Sequence, residues 1–150
     1  MANKFINLAI REALKGYKKN EVPVGAIIVD ENNIVISRAH NLVESKNDPS
    51  SHAEVLAIRR ACNVTGRRYL NNCSIWVTLE PCIMCSGHIL QSRLKYLYFG
   101  LEDKLKGSVE NGLKIFYNHE VNSDIEIYYG FEQERIKKIM KKFFTKIRKK

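Results

Sequence analysis

The chain carries no internal repeat, no low-complexity linker and no composition shift ahead of its last twenty residues, so repeat arrays and tethered multi-domain arrangements are not expected. Long apolar runs are missing too. The longest, VPVGAIIV at 22–29, falls far short of the about 20 residues that a bilayer-spanning helix needs. The opening stretch MANKFINLAIREALKGYKKN is interrupted by Arg11 and Glu12 before it reaches signal-peptide length, and no small-residue cleavage site follows. A soluble, cytoplasmic protein with no membrane association is the expectation. The four cysteines then have no oxidising compartment in which to build a disulfide scaffold. A closely spaced pair among them is better suited to a metal or to catalysis.

What is present describes an ordinary folded domain. With 150 residues, 45% of them hydrophobic and 27% charged, the chain suits one domain with a packed core. The net charge of +9 is concentrated at one end, where residues 131–150 hold nine Lys or Arg against Glu132 and Glu134. Such a block attracts phosphate backbones without conferring sequence specificity. It also suits the solvated face of a surface helix, and charge alone does not separate the two readings.

Apolar spacing at Phe5, Leu8, Ala9 and Ala13 predicts a helix over 4–16, with Gly16 as its stop. VGAIIVD (24–30) and NIVISRAHN (33–41) are β-branched runs joined by a short polar turn, a hairpin pattern. A helix is predicted from His52, with Ser50 or Ser51 as its cap. A strand at 73–79, a helix from Pro81 to about Gln91, strands at 94–100 and 124–130, and a closing helix with Ile136, Ile139, Met140, Phe143 and Ile147 on one stripe complete the reading. This alternation predicts an α/β mixed sheet covered by helices, its later strands parallel.

In TLEPCIMCSG, Pro81 suits a first helical turn, which places Cys82 and Cys85 three positions apart on one face where the helix dipole favours thiolates. Two thiolates facing one point make half a zinc site, although a lone pair of this spacing is also compatible with core cysteines. His52, at the start of the preceding helix, is the expected third ligand, leaving one coordination position open as catalytic zinc sites do. Glu54, two residues on, is then free to move protons between a zinc-activated water and a substrate. Cys62 and Cys73 are expected in the core or at the surface. His40, His88 and His119 are read as structural or solvent-facing, Ile83 and Met84 as core, and Glu80 as a structural hydrogen-bonding group. Phe143 lies at the centre of the last helix's stripe and Phe144 nearer its edge, which makes Phe144 the better base-stacking candidate.

HAE at 52–54 and PCIMC at 81–85 match the H-x-E and P-C-x-x-C signature of the zinc-dependent cytidine-deaminase superfamily. With EVPVGAIIV, HN at 40–41, DPSSHAE, SRLKYLYFG, KGSV and the terminal KKFF, nearly the whole chain resembles the tRNA-specific adenosine deaminases of bacteria. The resemblance implies a three-layer α/β/α cytidine-deaminase-like fold on a five-stranded mixed sheet, one Zn2+ per chain, a homodimer, and conversion of adenosine to inosine at the wobble position of a tRNA anticodon stem-loop. It further implies that Asn41 hydrogen-bonds the adenine, the Ala53 backbone holds the base edge, Pro23 and Val24 line the pocket, Asp103 contacts the upstream nucleotide, and Phe144 with the tail lysines covers the RNA. The chain departs from relatives at Leu101-Glu102, where a small residue and arginine are frequent, and a glutamate there would repel phosphate. The rival readings are a deaminase of free guanine or cytosine bases or nucleosides, and a non-enzymatic RNA-binding module with structural zinc.

Overall fold

The computed structural model describes residues 2–149; Met1 and Lys150, the last of the tail lysines, lie outside the described residues. The elements run α1 (Ala2–Lys18), β1 (Gly25–Val29), β2 (Val35–His40), α2 (Val43–Lys46), α3 (Ala53–Thr65), β3 (Ser74–Leu79), α4 (Ile83–Gln91), β4 (Tyr96–Leu101), a 3-10 turn at Ile115–Tyr117, β5 (Glu126–Tyr129) and α5 (Gln133–Arg148). The five strands form one sheet in the order β2-β1-β3-β4-β5. The hairpin strand β1 is antiparallel to both β2 and β3, whereas β3, β4 and β5 are mutually parallel. No helix among the described residues is long and apolar enough to cross a membrane.

Strand periodicity divides the core in two. Ala26, Ile28, Ile75, Val77, Leu97 and Phe99 face α3 and α4, where they pack with Leu56, Ala57 and Ile89. Ile27, Val29 and Trp76 face the other way, onto Phe5, Ile6 and Ile10 of α1 and Ile136 of α5. Helices therefore cover both faces, the three-layer arrangement that the resemblance implied. On the α1/α5 face the in-register residues Trp76, Tyr98 and Tyr128 stack across three strands, with ring centroids 3.8 Å and 5.3 Å apart.

Several local expectations are corrected. Helix α1 runs through Gly16 to Lys18, because the Gly16 carbonyl accepts the N–H groups of Lys19 and Glu21 and Asn20 takes the left-handed turn position. Its buried stripe includes Phe5, Ala9 and Ala13 as expected, and adds Ile6 and Ile10, while Leu8 is only half-buried. Ser50 and Ser51 do not cap α3: both hydroxyls bond the Asp48 carboxylate, and His52 is the cap residue without a side-chain bond. Helix α4 begins at Ile83, so Pro81 precedes it and Cys82 is its cap rather than part of its first turn. Ile83, expected in the core, is 51% exposed.

Helix α1 lies on β1 almost backbone to backbone. A Cβ at Gly25 would fall 2.0 Å from the Ala9 carbonyl oxygen and 2.6 Å from the Ala13 nitrogen. Since both obstacles are backbone, a side chain cannot be accommodated by a rotamer change. Gly25→Ala is expected to destabilise the fold by about 3 kcal/mol, seen as a lower urea midpoint at unchanged m-value.

Candidate active site

One edge of the sheet collects the chemistry. Because β1 runs against β3, the start of β1, the end of β2 and the ends of β3 and β4 all lie at this edge. Pro23 and Val24 precede β1, Asn41 follows β2, and Glu80 and Pro81 follow β3. Backbone bonds tie these termini together. Asn41 N–H donates to the Val24 carbonyl, and Leu42 N–H to the Ser51 carbonyl, which brings the segment before α3 against the end of β2. A buried carboxylate steadies the adjoining turn: Glu21 accepts the N–H groups of Glu44 and Ser45 and the Ser45 hydroxyl.

His52 and Cys82 cap α3 and α4, and both helices start at this edge. Nδ1 of His52 lies 3.7 Å from the Cys82 Sγ and 3.5 Å from the Cys85 Sγ, and the three donor atoms all fall within 4.8 Å of one another. Donors held at about 2.0–2.3 Å around a tetrahedral zinc ion sit roughly 3.3–3.8 Å apart. The spacing fits. So does the chemistry, because thiolate and imidazole are the donors zinc prefers. Within the protein alone, bonds from Cys85 and then His52 hold the Cys82 thiol down at about 3 against its burial. The same contact with Cys82, together with burial, pushes the Cys85 thiol far up. Two sulfurs this close do not both ionise without a cation between them. The hydrogen bond to Cys82 raises His52 against the effect of burial.

Glu54 sits in the first turn of α3 and is 4% exposed. Burial pushes its carboxyl up to about 7, opposed by its own backbone N–H and by His52. Asn41, at 7% exposure, follows β2, and Ala53, fully buried, stands between His52 and Glu54. Pro23 is buried and Val24 half-buried. Asp103 arrives at the same edge just past β4, yet its carboxylate is occupied locally by the N–H groups of Leu105 and Lys106. Glu102 is turned to the Asn111 side-chain amide rather than left as a free charge. Phe143 is buried edge-on against Tyr17, while Phe144 is 43% exposed beside it. Cys62 and Cys73 stand outside the donor cluster, Cys73 being fully buried.

Sequence reasoning passed over several residues that shape this edge. Ser86 and Ser108 share a hydroxyl–hydroxyl bond of 2.8 Å beneath the start of α4, and Glu21 holds residues 44 and 45. For His40 the structural alternative holds: it is buried, 3.4 Å from the buried Glu12 carboxylate and 3.1 Å from Lys19. The EVPVGA segment contained Glu21, but nothing local marks a carboxylate whose partners lie more than twenty residues away.

Known proteins match this arrangement over nearly its full length. Residues 2–148 match the MafB19-like deaminase family. A tRNA-specific adenosine deaminase of Rickettsia bellii (strain RML369-C) is 46% identical over 144 residues, covering 93% of this chain and 99% of that protein. A solved structure from work on A-to-I editing by tRNA:A34 deaminases at the wobble position of transfer RNA superposes with a TM-score of 0.87 at 35% identity, covering 91% of this chain and 98% of the other. Guanine deaminase from Bacillus subtilis is 38% identical but aligns over only 66% of this chain and 63% of its own, with a TM-score of 0.63. The chain belongs to the MafB19-like deaminase family and, within it, to the tRNA-specific adenosine deaminases.

If the three donors hold zinc together, His52→Ala or Cys82→Ser lowers bound zinc from about one equivalent per chain to a small fraction, because three-ligand sites tolerate the loss of a ligand poorly. Elemental analysis of the purified proteins measures it.

Proposed function

We propose that this member of the tRNA-specific adenosine deaminases converts adenosine to inosine at the wobble position of a tRNA anticodon, as a single-domain, cytoplasmic homodimer with one zinc ion per chain. The observation that carries the reading is the buried Glu54 side chain, hydrogen-bonded to Cys85 of the convergent His52, Cys82 and Cys85 donors. His52, Cys82 and Cys85 would hold a zinc ion, which would supply the Lewis acidity that makes a water's proton easily lost. Glu54 would take that proton and give it to adenine N1 as the water's oxygen adds at C6, then take the proton of the new C6 hydroxyl and deliver it to the departing amine. The C6–N bond is replaced by a C6–O bond, and adenosine plus water becomes inosine plus ammonia.

The remaining residues hold the base. Asn41 offers its side-chain amide to the adenine, the Ala53 backbone meets the base edge, and Pro23 and Val24 form apolar walls. Each of these positions is buried or half-buried. Asp103 is assigned to the nucleotide just upstream; its loop stands at the same edge. Phe144 offers an exposed ring, and Lys146, whose ammonium lies 4.8 Å from the Tyr17 ring, belongs to the basic face of α5 beside it. A single-stranded anticodon loop suits such a site, since an unstacked base costs less to extrude than a paired one.

The alternative, a free-base deaminase, is supported by the guanine deaminase likeness, but that covers two thirds of the chain and leaves the basic α5 without a task. Incubation with an anticodon stem-loop bearing wobble adenosine, beside free guanine, cytosine and adenine, decides between them: inosine in the stem-loop supports the principal reading, and turnover of a free base alone overturns it. Glu54→Ala is expected to keep about one zinc per chain yet lose inosine formation by about 10²–10⁴-fold. Loss of the metal instead would make Glu54 a ligand. Removal of residues 146–150 is expected to weaken stem-loop binding and to flatten its dependence on salt, measured as the slope of log K against log salt.

A further inference from the structure

Glu80 closes β3 directly before Pro81-Cys82, and its carboxylate is 2% exposed. No ion-pair partner neutralises it among the described residues. Instead it is solvated by the loop at 102–111. One carboxylate oxygen accepts the N–H of Asp103 at 3.1 Å and the Asn111 side-chain amide at 2.7 Å. The other accepts three consecutive backbone N–H groups, those of Val109, Glu110 and Asn111, at 2.9, 2.9 and 3.1 Å. Successive N–H groups converging on one oxygen form a backbone nest for an anion. The loop reaches it only because residue 107 has no side chain: a Cβ at Gly107 would lie 2.4 Å from the Glu80 carboxyl carbon.

The same loop also grips the metal-binding segment. Ser108 donates both its backbone N–H and its hydroxyl to the Pro81 carbonyl, at 3.1 and 3.2 Å, and that hydroxyl meets Ser86 in α4. The Pro81 carbonyl belongs to the peptide plane that carries the Cys82 nitrogen. The orientation of Cys82 is thus set from a loop more than twenty residues downstream, and that loop is shaped around Glu80.

We propose that Glu80 is a positioning residue that couples the ligand Cys82 to the 102–111 loop, so that one buried carboxylate holds both the metal-side geometry and the wall facing the upstream nucleotide. The substrate half of this inference rests on the deaminase reading above; the metal half does not. Glutamine fills the same space but turns one acceptor oxygen into an amide NH2 aimed at N–H donors, so Glu80→Gln opens the nest without leaving a void.

In the full-length, zinc-loaded protein, Glu80→Gln is expected to speed zinc release to excess chelator at least tenfold. It is also expected to speed amide exchange at 109–111 at least tenfold and to raise KM for the stem-loop at least tenfold, with kcat changed less. Ser108→Ala keeps all five donors on Glu80, and is expected to speed zinc release while leaving KM within twofold. Asn111→Ala removes one backbone-independent donor and is expected to raise KM, which keeps the test alive if Glu80→Gln does not fold. A lowered unfolding temperature with zinc release and exchange at 25 °C within twofold of the unsubstituted protein would make Glu80 merely a stabilising group and overturn the proposal. So would a Ser108→Ala protein that retains zinc as firmly as the unsubstituted one. Should the unsubstituted protein form no inosine, the activity reading fails, whereas the zinc-release and exchange measurements still decide the coupling.

Discussion

Three donor atoms from two different helices must meet within a few ångströms, and everything else in this fold can be traced to that requirement. His52 and the Cys82/Cys85 pair are separated by some thirty residues, and they converge because α3 and α4 both begin at the same sheet edge. That in turn demands β3 parallel to β4, with α4 as the crossover, and β1 reversed beside β3 so that the hairpin returns its ends to the same place. Helix starts carry free N–H groups and a partial positive charge, which suits an edge where thiolates gather. The antiparallel hairpin is what converts a simple parallel sheet into one with a crowded, enclosed end.

Burying polar chemistry at that end is expensive unless every charge is met. The protein meets its carboxylates with backbone N–H groups more than with cations. Glu21 is held by residues 44 and 45, and Glu80 by residues 103 and 109–111. Glu21 pins the short helix α2, and Glu80 orders the irregular segment at 102–111. Loops normally contribute motion; here the 102–111 loop nearest the site is tied to a buried carboxylate instead.

The opposite face follows different rules. Trp76, Tyr98 and Tyr128 stack along the sheet beneath α1 and α5, and Arg135 of α5 bonds Asn7 of α1. Helix α5 is thereby docked through Ile136 and Phe143, and its lysines point outward as a solvated face. A packed stripe and a charged face coexist on one helix because apolar residues recur at helical spacing while lysine stems tolerate exposure. Of the two readings that charge alone left open, the solvated helix face is the one the described residues show, and the phosphate-attracting surface belongs to the proposed function.

Periodicity and spacing determined a good part of this protein. The hairpin, the alternation of strand and helix, the parallel β3 and β4, the stripe of α5 and the pairing of His52 and Glu54 with the two cysteines are all legible, because each depends on residues close in sequence or on residue types rare enough to announce themselves. Element ends were read less well: the Gly16 carbonyl takes Lys19 and Glu21 instead of stopping α1, Ser50 and Ser51 turn to Asp48 instead of capping α3, and Cys82 stands before α4 rather than within it. Only the folded chain could show the close approach at Gly25 or the grip of Glu80 on residues 103 to 111. A side chain that bonds another side chain leaves two recognisable residue types in the sequence. One that bonds backbone N–H groups leaves only itself, because nearly every residue carries that donor and only the fold decides which ones arrive.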